Sequence, residues 1–241
     1  MVIAVSHIKA KIVASMKAIE ILTSKCSDGC ILGLGTGSTV RTFIDLLFAQ
    51  NLETMLRRSL IIASSYDTAL LLLSKGVLNV NVGLPSHRID VYIDSADEVD
   101  RRCYMIKGGG GAVLREKILT YLANEKIFIV DESKVSEYIG MKKPVPVEIE
   151  PFAYTLIQEY LKTKGYAFEL RYSKSKYGPV ITDNGNFILD IRTGPLQKPQ
   201  SLDAELTMLP GVVVTGIFRP EHVSTIIVGF DSGEIEILYP A

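Results

Sequence analysis

Apolar residues recur along this chain with two periods, and the switches between them divide it into elements. Between residues 8 and 24, Ile8, Ile12, Ala14, Ile19 and Leu22 stand among lysines and serines at helical spacing. The group CSDG (26–29) ends that pattern. CILGLG (30–35) then reads as a short buried strand that passes straight into Thr36-Gly37-Ser38-Thr39 and a helix with Val40, Phe43, Ile44 and Leu47 on its apolar face. SLIIASS (59–65) predicts a second strand, followed by the polar turn Ser64 to Thr68 and the helix TALLLLSKG. VNVGLP (80–85), DVYID (90–94) and KIFIVD (126–131) predict further strands, with a helix before the last. The alternation βαβαββαβ predicts an α/β fold, a Rossmann-like, mostly parallel twisted sheet with helices on both faces.

The order changes after Lys134. Pro144, Pro146 and Pro151 punctuate PVPVEIEP, and a helix over 151–165 follows. YAFELRY (166–172) and GPVITD (178–183) read as strands. Asn184-Gly185 is a hairpin signal joining ITD to NFILDI. A short helix around 201–209 precedes the strand GVVVTGIF (211–218), and a hairpin, STIIVGF-DSG-EIEILY, closes the chain. Residues 144–209 thus predict a small ferredoxin-like α+β domain. Residues 1–143 and 210–241 are expected to form the α/β domain.

Composition narrows the function classes. The 241 residues are 47% hydrophobic, enough for a full core without cross-links, and the net charge of −1 offers no basic excess for nucleic acid. Cys26, Cys30 and Cys103 form neither a CxxC pair nor a zinc set, so they are expected as buried or half-buried thiols in a reducing compartment. No apolar run is long enough to span a bilayer, and the N-terminus reads as an amphipathic helix rather than a leader; a cytoplasmic protein is expected.

The candidate chemistry gathers between Asp90 and Lys134. The strand DVYID delivers Asp94, Asp97 and Glu98 just past its carboxyl end, where open α/β sheets place their sites. Lys107, four glycines and a helix bearing Glu116 follow, and the next strand leads to Lys134. Carboxylates, an ammonium group and a helix N-terminus suit proton transfer next to a carbonyl. Thr36 to Thr39 have two readings. They are a phosphate cradle of hydroxyls and helix N-terminal amides, or an ordinary cap by Thr36 or Ser38. GLGTGS lacks the third glycine of a dinucleotide fingerprint, and no GK[ST] follows for a Walker loop. Ser and Asp before the helix at 68 read as caps.

Taken together, GLGTGSTV, SSYDT, DVYIDSADEVD, MIKGGGGAVLREK, IVDESK, PVPVEIEP, ITDNGNFILDI and LPGVVVTGIF resemble, in order and spacing, the ribose-5-phosphate isomerases of the A type. The resemblance runs almost end to end. It implies interconversion of D-ribose 5-phosphate and D-ribulose 5-phosphate through an enediolate, in the non-oxidative pentose phosphate pathway, with no metal and no organic cofactor. By the same resemblance Glu116 matches the catalytic base, Lys107 the lysine of the glycine motif, and Asp94 and Asp97 the paired aspartates. Thr36, Gly37, Ser38 and Thr39 match the phosphate loop; Gly108, Gly109 and Gly110 match the glycine motif, and Lys134 matches a pocket lysine. Ser95 stands where the family usually has glycine, and Lys11 is the candidate for an N-terminal phosphate-binding lysine. A sugar phosphate and further copies of the chain, as dimer or tetramer, are the implied partners, and the small domain is the implied place of subunit contact.

The residues themselves suit these roles. Glu116 near a helix start has its charged form favoured by the backbone dipoles. Lys107 and the amides of Gly108 to Gly111 are expected to stabilise the oxyanion. Asp94, crowded by Asp97 and Glu98, is the expected group for ring opening. The rivals are an aminosugar-phosphate isomerase–deaminase, a coenzyme A transferase and a non-catalytic sugar-phosphate sensor. The first wants a catalytic histidine, but His7, His87 and His222 show no ligand spacing and read as surface or structural. The second wants a glutamate nucleophile on another loop. The third wants a helix-turn-helix segment ahead of the first strand, where the sequence offers a single helix.

Overall fold

In the computed structural model, which describes residues 7–83, 88–173 and 177–240, the chain divides into two compact units. One comprises Met1–Ser95, Ile118–Val135 and Glu221–Ala241; the other comprises Ala96–Lys117 and Ser136–Pro220. The stretches 96–117, 136–143 and 210–220, expected with the α/β domain, group with the second unit. The cause is pairing: Met105–Ile106 lies antiparallel to both Glu98–Asp100 and Ile217–Phe218. Ile106 and Ile217 also share an apolar cluster with Val145, Val147 and Ile149.

The first unit is built on a seven-stranded sheet in the order Ile235–Leu238, Thr225–Gly229, Ala123–Asp131, Ile89–Ser95, Ile31–Leu34, Leu60–Ala63, Val80–Asn81. All neighbours are parallel except the edge strand Ile235–Leu238, which returns as the expected terminal hairpin. The central strands are short β-branched and leucine runs, buried among Phe43, Ile44 and Leu47 of the helix Ser38–Ala49. Each such side chain contributes roughly 1.5–3 kcal/mol by leaving water, so the loops at the strand ends stand on a fixed base.

The first helix runs Ile8–Lys25, close to the expected span, and Ala14, Ile19 and Leu22 are buried as expected, but the N-terminal part of its buried face is different. Ile8 and Ile12 are exposed, and Ala10, Ala14, Ala18 and Leu22 face inward. A methyl group added to Gly229 would meet the Ala10 carbonyl oxygen at 2.0 Å. Helix and strand approach too closely there for an isoleucine, and alanine wins. The helix Glu53–Arg58, which the periodicity did not suggest, fills the link before the second strand. The strand expected at 80–85 is present only as Val80–Asn81, and residues 84–87 lie outside the described residues.

The cysteine expectation is corrected. Cys26 and Cys30 form a disulfide with Cα atoms 5.3 Å apart. The helix ends at Lys25, and a turn closed by the Gly29 amide on the Cys26 carbonyl brings Cys30 back beside it. Cys103 is a free, buried thiol whose pKa burial and the nearby Asp100 push up to about 11. No described helix is long and apolar enough to cross a membrane.

The second unit holds a four-stranded antiparallel sheet in the order Ala167–Leu170, Phe187–Arg192, Val145–Ile149, Val212–Thr215. The helices Tyr154–Thr163 and Pro199–Thr207 lie between its first and second and its third and fourth strands in sequence. That connectivity and order are ferredoxin-like. Two expected strands are corrected. GVVVTGIF splits at Gly216 into Val212–Thr215 and Ile217–Phe218, in different sheets. A methyl at Gly216 would strike the Lys107 carbonyl oxygen at 2.3 Å, so the bend needs glycine. Among the described residues, GPVITD forms no ladder beyond the single bridge Tyr172–Pro179. Its Thr182, with Asn184 and Asn186, turns to the Glu148 carboxylate instead.

Candidate active site

In the first unit, the carboxyl end of the strand Ile31–Leu34 runs beside that of Ile89–Ser95. Leu34 pairs with Ile93, and the Gly35 amide donates to the Ile93 carbonyl at 2.8 Å. A methyl on Gly35 would sit 1.8 Å from Asp94 Oδ1. Gly35 therefore makes room for a neighbouring side chain. Asp94 is fully buried and accepts from the amides of Ser95 (2.7 Å) and Thr36 (3.3 Å) and from the Tyr92 hydroxyl. Tyr92 was missed in the sequence. It stands two residues before Asp94, on the same face of the strand, and that spacing was the available signal.

Thr36 receives a hydrogen bond from Ser65 at 3.0 Å, and Thr68 donates to the Gly35 carbonyl at 2.7 Å. Ser65 also caps its own helix, as expected, by accepting from the Thr68 amide at 3.2 Å. The helix after the loop begins differently from the capping alternative. Its N-cap is Gly37, with φ +100° and no side chain to offer. Among the described residues no side-chain cap closes this helix start, which leaves room for an anion. Lys11 Nζ donates to Ser38 Oγ at 3.0 Å, which brings a cation to the same turn. Thr39 is buried in the helix. Lys134 ends the 3-10 turn Glu132–Lys134 after the strand Ala123–Asp131, a turn capped by Asp131 through the Ser133 amide.

In the second unit, Lys107 and Glu116 are brought together. Lys107 Nζ lies 3.4 Å from Glu116 Oε2, with 2% and 4% of the two side chains exposed. The Lys107 amide is fixed on the Gly216 carbonyl at 2.9 Å, and its ammonium group lies 5.6 Å from the Phe218 ring centre. A charged pair so deeply buried is costly unless each member holds the other. Asp97 accepts from the Gly109 amide at 2.7 Å. The Gly111 amide closes a turn on the Gly108 carbonyl at 3.0 Å. The expectation that the whole loop offers amides to an oxyanion is corrected to that extent: Gly109 and Gly111 are already engaged.

Glu98 does not join the chemistry. It is fully buried and accepts from the amides of Gly140, Lys142 and Lys143, each at 3.0 Å. Glu148, also missed, holds the start of the helix Val113–Leu122 by accepting from the Leu114 amide at 3.3 Å. Thr182, Asn184 and Asn186 complete its shell at 2.9, 3.1 and 2.8 Å. The TDNGN signature thus reads as the partner of a buried carboxylate.

The histidines stand apart from these residues in role. His222 is buried against Tyr121, and His87 lies outside the described residues. His7, where the sequence showed no ligand spacing, does come together with Glu132 and Asp231, their ligand atoms within 4.8 Å of one another. Asp231 there accepts from the Ala10 amide at 3.1 Å and so closes the start of the first helix.

A helix start without a side-chain cap and with a lysine beside it in the first unit, and a buried lysine–glutamate pair next to a glycine loop in the second, are groups of the kind used by α/β enzymes that move protons on an anionic substrate. The comparisons with known proteins narrow this class. The family of ribose 5-phosphate isomerase A (phosphoriboisomerase A) matches residues 60–233. A ribose-5-phosphate isomerase A of Thermococcus kodakarensis is 42% identical over 206 residues, 86% of this chain and 89% of the relative. The solved ribose 5-phosphate isomerase A of Methanocaldococcus jannaschii superposes with a TM-score of 0.86 at 35% identity, covering 97% of this chain and 100% of that one. A D-ribose-5-phosphate isomerase in complex with phospho-erythronic acid gives 0.86 at 37% identity, with 95% and 97% covered. The chain belongs to the ribose 5-phosphate isomerase A family, and it is an isomerase.

Proposed function

We propose that the chain interconverts D-ribose 5-phosphate and D-ribulose 5-phosphate through an enediolate, with Glu116 as the base. Aldose–ketose exchange needs a base to carry a proton between adjacent carbons and a positive group for the carbonyl oxygen as it gains charge. The observation that carries the reading is the Lys107–Glu116 pair, at 3.4 Å and buried. Substrate entering beside it gives Glu116 a proton to take and Lys107 an oxyanion to hold. Asp94 and Asp97 serve the hydroxyl protons of ring opening and enediol exchange. Thr36, Gly37, Ser38 and Thr39 bind the phosphate, with Lys11 and Lys134 supplying positive charge. Lys11 at 3.0 Å from Ser38 Oγ supports its part. Gly108, Gly109 and Gly110 shape the floor for the sugar. The bound phospho-erythronic acid in the solved relative supports a sugar-phosphate-like ligand.

The test is conversion of ribose 5-phosphate by the wild type and by Glu116→Gln, both in excess chelator. The wild type should be active, and the variant should lose on the order of 10²–10⁴-fold in kcat. Equal activity in both would remove Glu116 as the base; inactivity in both, with binding retained, would refute the reaction. Self-association and a cytoplasmic location complete the proposal. Sedimentation equilibrium and cell fractionation check them: a monomer at every concentration, or recovery with membranes, would count against each.

A further inference from the structure

Arg171 follows the strand Ala167–Leu170, and neither the motifs nor the reaction account for it. Its guanidinium group is divided between two targets. Nε donates to Asp190 Oδ2 at 2.7 Å, and Nη2 donates to Asp190 Oδ1. Nη1 donates to the carbonyl oxygens of Gly108 at 2.9 Å and Gly109 at 3.1 Å. The two side chains are largely buried, with 17% of Arg171 and 10% of Asp190 exposed. Only a planar fork with five donors satisfies a carboxylate on one side and two carbonyls on the other; a lysine ammonium group cannot span both.

The peptide between Gly108 and Gly109 links this clamp to the chemistry. A trans peptide points its oxygen and its N–H in opposite directions. With the Gly108 oxygen held by Arg171, the Gly109 N–H is aimed the other way, and there it meets Asp97 Oδ2 at 2.7 Å. The series runs from the Asp190 carboxylate through the guanidinium group and one peptide to the Asp97 carboxylate. Each hydrogen bond in such a series polarises the next. The cation therefore both fixes the peptide plane and strengthens its N–H as a donor.

We propose that Arg171 is a positioning residue of the isomerase site, holding Asp97 in place through the Gly108–Gly109 peptide. The proposal rests on the isomerase reading for the role of Asp97, but the coupling itself does not. A glycine loop has little stiffness of its own; the turn bond from the Gly111 amide to the Gly108 carbonyl and the Arg171 clamp supply it together. An arginine present only for the fold would need Asp190 alone, whereas both carbonyls its guanidinium group binds belong to the loop that carries the Asp97 donor.

The experiment uses the full chain and two variants, Arg171→Met and Arg171→Lys. The second keeps the cation beside Asp190 and so guards against loss of folding. Each should lower kcat on the order of 10- to 100-fold, the scale of misplaced catalytic geometry, with KM changed much less. In both, the amide proton of Gly109 in an ¹H–¹⁵N spectrum should move upfield as its bond to Asp97 weakens. A folded variant with full kcat, a loss confined to KM, or an unmoved Gly109 resonance would overturn the proposal. A wild type that converts no ribose 5-phosphate would instead sink the isomerase reading, and the resonance would still test the coupling.

Discussion

Lys117 shows how one side chain can record the cost of its surroundings. It follows Glu116 on the helix Val113–Leu122, and only 13% of its side chain is exposed. Its ammonium group donates to the Ile217 carbonyl at 2.8 Å, lies 3.6 Å from Asp203 Oδ1 and 5.0 Å from the Phe218 ring centre. Burial pulls its pKa from 10.5 to about 8, with Asp203 opposing the fall and Arg219 adding to it. The folded state thus holds this proton less tightly than the unfolded chain. Stability contributed by Lys117 therefore rises as pH climbs from about 8 to 10.5, and its charged form is a burden below that window. At ~1.36 kcal/mol per pKa unit, the wild type should gain roughly 2 kcal/mol on Lys117→Met between pH 7.5 and 10. Urea unfolding of both proteins at the two pH values checks this; a difference independent of pH, or one of opposite sign, would show that the lysine is not perturbed in this way. Asp203 keeps Arg219 at 3.3 Å and the Thr215 hydroxyl in the variant, so its charge is not stranded.

Elements were legible where one force dominates. The parallel strands follow from runs such as LIIA and IFIV, which have no stable place except the middle of a sheet. The hairpin that ends the chain and the Ser65 cap follow from turn and capping chemistry. Illegible features came from contacts between segments distant in sequence. The alanine face of the first helix is chosen by Gly229, more than 200 residues away, and the break at Gly216 by the backbone of Lys107. The candidate site divides in the same manner. Glu116, Lys107, Asp94 and the loop at 36–39 stand out by motif, and their local geometry suits the chemistry read from them. Arg171 and Glu148 carry no local signal, because each acts on the glycine loop or the helix after it from elsewhere in the second unit. Asp97 and Glu98 are neighbours of like charge with opposite destinations, one facing the Gly109 amide and the other the amides at 140–143. Asp97 lies in the bend just before the strand Glu98–Asp100 and Glu98 opens that strand, a difference no composition argument would find.

At the scale of the whole molecule, the Cys26–Cys30 disulfide is the covalent link the composition did not call for. A sequence 47% hydrophobic builds its cores without cross-links, so the bond is expected to adjust stability rather than to make folding possible. Its loop is short, with four residues of separation, which limits the entropy it removes from the unfolded chain. The chain-entropy estimate for so small a loop is about 2 kcal/mol. Unfolding entropy of ~2.1 cal/mol/K per residue over a chain of this length makes that roughly 4 °C in melting temperature. The double variant Cys26→Ser/Cys30→Ser should melt lower by about that amount, and a reductant should bring the wild type to the same midpoint while leaving the variant unmoved. Turnover at 25 °C should be the same for both, since neither cysteine is among the residues proposed for the reaction. Thiol titration decides the chemistry directly: denatured but unreduced wild type should show Cys103 alone, and titration of all three thiols would mean the bond is not formed. Unequal turnover with matched thiol counts would instead mean that the end of the first helix communicates with the loop at 36–39. Lys11 and Ser38 are the contact through which that would pass.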